Sequence, residues 1–317
     1  MITKQNAEPD FSRRKNCISL LEYSEEELDH IITMAVRLKR QRGREDTPVL
    51  KNKTGVLIFE KPSLRTHISF ETALFELGGH PIVLHSNMVQ MGKRETVKDV
   101  AKNLERLVHL VIARTYLHET IVELAAHSSI PVINALSDKF HPCQALAFAL
   151  TLHEHRGQEK TKKVVFIGDG NNVCHSLMVV CAKRGYHFTA ACPRGYEPDT
   201  TITETCRSIA LRNGCSIEVC NDPNACVADA TVIYTDVWAS MGQESEAEER
   251  KNSFATFQVN ESLLRRAPSD VLVSHCLPAH RGEEITSAVL DSANSIALDE
   301  AENRLHVQKA VIVHLFS

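Results

Sequence analysis

The sequence predicts an α/β protein: two doubly wound parallel-sheet domains with the active site in the cleft between them. Three observations predict it. The chain has 317 residues, enough for two domains at about 100–200 residues each. Short apolar runs alternate with helical segments in both halves, the pattern of parallel sheets covered by helices. A polar, basic stretch, Gly157 to Lys163, separates the halves. The expected division is 1–150 and 151–301, with a C-terminal helix over about 302–317 packing back on the first domain.

Each element has its own signal. Ser24 followed by Glu27 is a capping-box signature for a helix running to about Lys39. Gly55 to Phe59 reads as a buried strand, Ser69 to Gly78 as a helix and Pro81 to Leu84 as a second strand. Val97 to Arg106 is helical. Leu107 to Ala113 and Pro131 to Asn134 are further apolar runs. Pro142 suits the first turn of a helix reaching about His155. In the second half, strands are expected at Val164–Ile167, Phe188–Cys192, Thr231–Tyr234 and Val271–Val273. Helices are expected at Cys174–Arg184 and Thr203–Asn213, and at the C-terminus from about Glu302 to Leu315.

Composition excludes more than it identifies. The formal charge of -4 gives no electrostatic reason to expect nucleic acid, and no apolar run approaches the ~20 residues of a membrane span. Residues 1–14 hold Glu8 and Asp10 and no apolar core, unlike a secretory signal or an acid-poor transit peptide. Ten scattered cysteines without a C-x-x-C pair read as reduced thiols of a cytoplasmic protein, and no pair has zinc-ligand spacing.

Six sites carry possible chemistry, each at the end of an expected strand, where ligands bind in such sheets. Phe59-Glu-Lys-Pro-Ser-Leu-Arg-Thr66 places Ser63, Arg65 and Thr66 at a helix N-terminus, where free N–H groups favour a phosphate. Taken alone, it reads more simply as a turn with a cap serine and a surface arginine. Arg114 follows the third strand, and His141-Pro-Cys-Gln144 the fourth. Arg114 suits an anion; His141 and Gln144 suit a carbonyl oxygen gaining negative charge. Gly168-Asp-Gly-Asn-Asn172 is a Rossmann-like turn without the full G-x-G-x-x-G spacing. No acid about 20 residues on would hold a ribose, so a dinucleotide is disfavoured. Asn171 and Asn172 instead offer amides to a small polar ligand.

Asp236-Val-Trp-Ala-Ser-Met-Gly242 opens a long polar stretch, and Asp236 is the natural carboxylate for an amine. In isolation it also reads as a surface acid. Cys276, in His275-Cys-Leu-Pro278, is a core cysteine, a nucleophile or a polar contact.

Taken together and in this order, the motifs Phe-Glu-Lys…Ser-x-Arg-Thr, His-Pro-Cys-Gln, Asp-x-Trp-x-Ser-Met-Gly and His-Cys-Leu-Pro give a resemblance from about Asn16 to the end. The sequence resembles the ornithine carbamoyltransferases, sisters of the aspartate carbamoyltransferases. The first two motifs mark the superfamily and the last two the ornithine branch.

The resemblance implies transfer of the carbamoyl group of carbamoyl phosphate to the side-chain amine of L-ornithine, without metal or organic cofactor. It implies that Ser63, Leu64 (through its backbone), Arg65 and Thr66 hold the phosphate, with Arg114, His141, Gln144 and Arg304 around the phosphate and carbamoyl groups. It implies that Asn172, Asp236, Ser240 and Met241 bind ornithine, and that Cys276 and Leu277 lie by the reacting amine. Arg65, Arg114, His141 and Cys276 are the expected catalytic residues. Gln90 would reach the neighbouring subunit's site in a homotrimer, alone or multiplied.

Two residues depart from the family pattern. Leu64 replaces a threonine, a hydroxyl worth about 1 kcal/mol if it were used, and Pro62 is more like the aspartate branch. Rival readings are an amine acceptor such as putrescine or an acylated ornithine, a nicotinamide-dependent oxidoreductase, and a non-catalytic member.

Overall fold

The computed structural model describes residues 16–89, 91–157, 162–239 and 246–317. Ten strands form two five-stranded sheets, parallel throughout their named strand pairs. The first contains β1 (Asn16–Cys17), β2 (Thr54–Phe59), β3 (His80–His85), β4 (Leu110–Arg114) and β5 (Val132–Leu136), in the order β1-β5-β4-β2-β3. The second contains β6 (Lys163–Ile167), β7 (His187–Ala191), β8 (Ile217–Cys220), β9 (Val232–Thr235) and β10 (Leu272–His275), in the order β10-β9-β6-β7-β8.

Helices α1 (Glu25–Gln41), α2 (Leu64–Glu76), α3 (Ser86–Val89), α4 (Val97–Leu107), α5 (His118–His127) and α6 (Pro142–Arg156) belong to the first half of the chain. Helices α7 (Asn172–Lys183), α8 (Thr200–Arg212), α9 (Pro223–Cys226), α10 (Ala247–Phe254), α11 (Glu261–Leu264) and α12 (Ser287–Leu290) follow, and α13 (Ala297–Phe316) closes the chain.

Both sheets reverse their winding beside their first long strand. β2 pairs with β3 on one side and β4 on the other; β6 pairs with β7 and β9. Loops leaving the strands on either side of such a point diverge and leave a crevice at the carboxyl edge. Ser63–Thr66 and Arg114 lie at one crevice, and Gly168–Asn172 and Asp236 at the other.

Helix starts follow their side chains. The Ser24 hydroxyl accepts from the Glu27 N–H (3.1 Å), and the Glu27 carboxylate accepts from the Ser24 N–H (2.6 Å). Helix α2 starts at Leu64 rather than at Ser69, because Ser63 caps it by accepting from the Thr66 N–H; its polar first turn hides the apolar period. Arg114 and His275 are the last residues of their strands, since the ladders extend to Phe59↔Arg114 and His275↔Thr235. Helix α5 and strand β8 have weaker signals: Leu117 supplies no side-chain cap, and β8 is a half-exposed edge strand. The cysteines are not all reduced thiols: Cys220 and Cys226, six residues apart, form a disulfide, and eight others are free.

Helix α13 is buried along nearly its whole length and packs on α1, α2 and α6. Two of its polar residues tie it to neighbouring helices: Asn303 donates to Thr151 Oγ1 (2.8 Å), and Lys309 pairs with Glu76 (2.8 Å). Among the described residues, no helix is long and apolar enough to cross a membrane.

The turn after β6 depends on Gly170. A Cβ there would sit 2.2 Å from the Pro198 nitrogen and 2.4 Å from the Glu197 carbonyl carbon, both backbone atoms. Gly170→Ala is therefore expected to destabilise the protein by about 1–3 kcal/mol, the usual cost of overpacking. Urea unfolding checks this, and an unchanged midpoint would mean that the two loops separate freely.

Candidate active site

The carboxyl edge of the first sheet collects positive charge. Arg65 is the second residue of α2, Arg114 ends β4, and His141 caps α6, whose first turn holds Gln144. Arg304 reaches the same place from α13. Its Nη1 donates to Gln144 Oε1 (2.7 Å) and its Nη2 to Thr66 Oγ1 (2.9 Å). Arg114, His141, Gln144, Thr66 and Arg304 are all buried.

Burial and mutual repulsion show in the titration behaviour. Burial, then Arg304 and Arg65, brings the Arg114 guanidinium down to about 10, still charged at neutral pH. Burial, followed by Arg304, Arg114 and Arg65, holds His141 well below an ordinary imidazole, so it is neutral. Three buried atoms of the cluster, Arg114 Nε, Arg304 Nε and His141 Nδ1, have no hydrogen-bond partner. Buried polar atoms normally have one, so the cluster suits a small anion carrying several acceptor oxygens. The first-turn N–H groups of α2 add donors that no helix carbonyl can take. The Leu64 side chain is 71% exposed, so that position can offer its backbone to the site whatever its side chain.

The second sheet supplies an acidic counterpart. Asp236 follows β9 and is buried. Its Oδ2 accepts from Asn171 Nδ2 (2.8 Å), and its Oδ1 from the Cys276 thiol and the Val237 N–H (both 2.8 Å). Burial, then the Asp236 carboxylate, pushes the Cys276 thiol well up. Cys276 is therefore a protonated donor to Asp236 rather than a thiolate nucleophile. Arg65, Arg114 and Arg304 all lie within electrostatic reach of the Cys276 sulfur, so the two clusters adjoin.

Leu277, at φ +54, follows Cys276, and its N–H donates to His275 Nδ1 (2.8 Å). That leaves the proton on His275 Nε2, 2.9 Å from the buried Glu284.

Asn172 lies between the halves. Its Nδ2 donates to the Ser137 carbonyl (2.5 Å), its own carbonyl accepts from the Ser176 hydroxyl, and Ser176 Oγ accepts from the His141 N–H (2.7 Å). The structure thus brings together Arg65, Thr66, Arg114, His141, Gln144 and Arg304, and separately Asp236 and Cys276. Gln90, Ser240 and Met241 lie outside the described residues.

Sequence reasoning missed three features of the site. It offered Asn171 and Asn172 alike, and Asn171 is the one that contacts Asp236. The buried Arg250–Asp169 pair (3.0 Å) fastens α10 beside the Gly168–Asn172 turn, with Arg250 also donating to the Trp238 carbonyl (2.9 Å). Burial raises Asp169 to about 6 even against Arg250. The third is Glu300, fully buried beside Gln144.

Two triads of metal-ligating types converge among the described residues: Asp236, His275 and Cys276, and His280, Glu283 and Glu284. Several of their atoms bond one another or a neighbour, Cys276 with Asp236, His275 with Glu284 and Glu283 with Lys251.

Two family models match the chain: Aspartate/ornithine carbamoyltransferase, carbamoyl-P binding domain, over residues 15–154, and the Asp/Orn binding domain of the same family over residues 160–315. The chain is 49% identical over 303 residues to an ornithine carbamoyltransferase of Anoxybacillus flavithermus, covering 95% of this chain and 96% of that one. It is 48% identical over 299 residues to an anabolic ornithine carbamoyltransferase of Pyrococcus furiosus, covering 94% and 95%. The solved ornithine carbamoyltransferase from Pyrococcus furiosus superposes with a TM-score of 0.92 at 47% identity, over 94% of this chain and 96% of that one.

The neutral state of His141 can be checked by histidine NMR. Its ring is expected to be neutral at pH 6.5, where an ordinary imidazole is half protonated, because its folded pKa lies well below the unfolded value of 6.5. The unfolded chain then binds the extra proton below about pH 6.5, so this residue's contribution to stability rises with pH and is lost on acidification. A His141 signal titrating near 6.5 would show that the cluster is hydrated and open.

Proposed function

The chain belongs to the aspartate/ornithine carbamoyltransferase family, and from that premise we propose that it transfers the carbamoyl group of carbamoyl phosphate to the side-chain amine of L-ornithine, releasing L-citrulline and phosphate. One observation carries the reading of the site: the buried guanidiniums of Arg114 and Arg304, the half-buried Arg65 and a neutral histidine, with unpartnered atoms among them, adjoin the Asp236–Cys276 pair.

The phosphate sits on the first turn of α2, at Ser63, Leu64, Arg65 and Thr66, with Arg114 and Arg304 against its oxygens. His141 and Gln144 meet the carbamoyl group, and the loop at Cys276 and Leu277 lies beside it. Asp236 takes the α-amino group of ornithine, assisted by Asn171, with Asn172 at the same edge; Ser240 and Met241 belong to the same reading by resemblance.

The ornithine side-chain ammonium must first lose a proton, since its intrinsic pKa is lysine-like, about 10. Its lone pair then attacks the carbamoyl carbon. A C–N bond forms, the carbonyl oxygen gains negative charge, and the bond to the phosphate oxygen breaks, that oxygen keeping the electron pair. Arg65 and Arg114 stabilise the charge on the oxyanion and the leaving group. His141, being neutral, contributes an N–H rather than a charge. The departing phosphate accepts the proton the nitrogen sheds.

Two substitutions separate the ligands. Arg65→Leu should weaken carbamoyl phosphate binding by roughly 2–5 kcal/mol. Asp236→Asn should cripple ornithine use and spare carbamoyl phosphate. Calorimetry of carbamoyl phosphate with each folded variant distinguishes them; equal loss of both ligands in Asp236→Asn would make Asp236 structural. An acceptor screen with ornithine, putrescine and an acylated ornithine tests the reaction itself, and preference for either of the last two would overturn the ornithine assignment.

The assembly we propose is a cytoplasmic homotrimer, alone or multiplied, in which Gln90 completes a neighbour's site. Eight free cysteines suit a reducing compartment. If an Arg65→Ala chain and a chain disabled at Gln90 are each inactive, random exchange at equal ratio should restore roughly a quarter of sites in a closed ring. Hybrids verified by mass spectrometry that show no gain in citrulline formation would confine the site to one chain.

A further inference from the structure

We propose that Glu300 is a positioning residue: it fixes the Gln144 amide and registers the carbamoyl phosphate pocket against the strand ends that carry Asp236 and Cys276. The inference rests on the carbamoyl phosphate reading above, which gives Glu300 no role.

The geometry is closed on every side of the carboxylate. Glu300 is fully buried on the first turn of α13. Its Oε1 accepts from Gln144 Nε2 (2.5 Å) and from the Tyr234 hydroxyl (2.7 Å), and its Oε2 from the Ser274 hydroxyl. One helical turn later on the same face, Arg304 donates to the other end of the same amide, Gln144 Oε1, and to Thr66 Oγ1. Gln144 is therefore held between a carboxylate on its nitrogen and a guanidinium on its oxygen. Turning the amide over would place its NH2 against Arg304 and its carbonyl against Glu300, both repulsive. The amide has one orientation, in which Oε1, aligned with Arg304, is an acceptor that suits the carbamoyl NH2 rather than a phosphate oxygen.

The other two donors explain the placement. Tyr234 and Ser274 are register partners in β9 and β10. Two residues on, just past the ends of those strands, Asp236 and Cys276 bond each other. Successive residues of a strand point to opposite faces, so residues two apart share one. Glu300 thus lies behind the Asp236–Cys276 pair and is hydrogen-bonded to both strands that carry it, while its remaining bond goes to α6. A buried carboxylate is costly unless its oxygens are matched by donors; here three donors and the nearby Arg304 meet it, which opposes the upward pull of burial on its pKa. A residue with a filling role only would need none of this.

The test is a kinetic double-mutant cycle with Glu300→Gln, which keeps the shape but loses the charge and one acceptor. Losing a hydrogen bond to a charged group corresponds to roughly a 10- to 100-fold effect. kcat/KM for carbamoyl phosphate should fall by that factor, mainly through KM, with KM for ornithine nearly unchanged. In a Gln144→Ala background the same substitution should have almost no further effect. Losses that multiply in the double variant, or a folded Glu300→Gln protein with wild-type kinetics, would overturn the proposal.

If Gln144→Ala alone leaves carbamoyl phosphate use intact, the pocket reading falls and takes this proposal with it; if it impairs use and Glu300→Gln does not, this proposal alone falls. Should Glu300→Gln not fold, the pair Tyr234→Phe and Ser274→Ala frees the carboxylate without removing it. It must raise the same KM, and failure to do so overturns the proposal.

Discussion

Like charges gathered in a dry place repel, and much of this structure can be derived from how that repulsion is held. Two unit charges about 6 Å apart at an effective dielectric near 20 repel by roughly 3 kcal/mol. Arg65, Arg114 and Arg304 each depress one another's or a neighbour's basicity. The fold meets this by anchoring each charge separately: a helix first turn for Arg65, a strand terminus for Arg114 and a long buried helix for Arg304. No side chain has to be held by the others. His141, which would add a fourth charge, is kept neutral by the same field. In the proposed reading, a phosphate dianion would relieve the repulsion and accept from the unpartnered nitrogens at once, so the cost built into the free protein would become affinity for the ligand.

The acceptor side follows the opposite rule. Asp236 is one carboxylate surrounded by neutral donors, Asn171, Cys276 and the Val237 N–H. Asp169, the second acid at that edge, is occupied by Arg250. Among the described residues at that edge, Asp236 is thus the carboxylate left for an amine, which in the proposed reaction separates the α-ammonium, bound as a cation, from the side-chain amine, which must react neutral. The two reversal points bring these unlike environments to the strand ends of two sheets, and Asn172, Ser176 and Ser137 bridge them by hydrogen bonds.

What was legible in the sequence is what local physics determines. Ser24 with Glu27 announces a helix start, and the structure has both halves of that box. The strand-end positions of Ser63, Arg114, His141 and Asp236 follow from apolar runs and the habit of parallel sheets. What was not legible depends on partners far along the chain. Glu300 meets Gln144 across 156 residues and Tyr234 across 66; nothing in its own neighbourhood marks it. Asn171 and Asn172 are indistinguishable by type, and only the turn at Gly170, pressed on the Glu197–Pro198 backbone, decides which of them faces Asp236. The disulfide was illegible for a local reason: Cys220 and Cys226, six residues apart, have no spacing motif, and a strand end followed by a short helix brings them together.

The departure at Leu64 shows why some positions in an anion site tolerate change and others do not. A helix first turn presents its N–H groups because the backbone has no earlier carbonyls to bond, a property independent of the side chain. Ser63 holds the turn by its bond to the Thr66 N–H, and Thr66 is in turn held by Arg304. Leu64 stands between these two fixed points with its side chain in solvent. A hydroxyl there would face water, and its absence removes no contact from the cluster. Arg65 has no such freedom, because its contribution is a charge at a place where only three guanidiniums together make a dianion the preferred occupant. The motif is therefore unequal in its parts: Ser63 and Thr66 shape the turn, Leu64 lends only backbone, and Arg65 supplies what the backbone cannot.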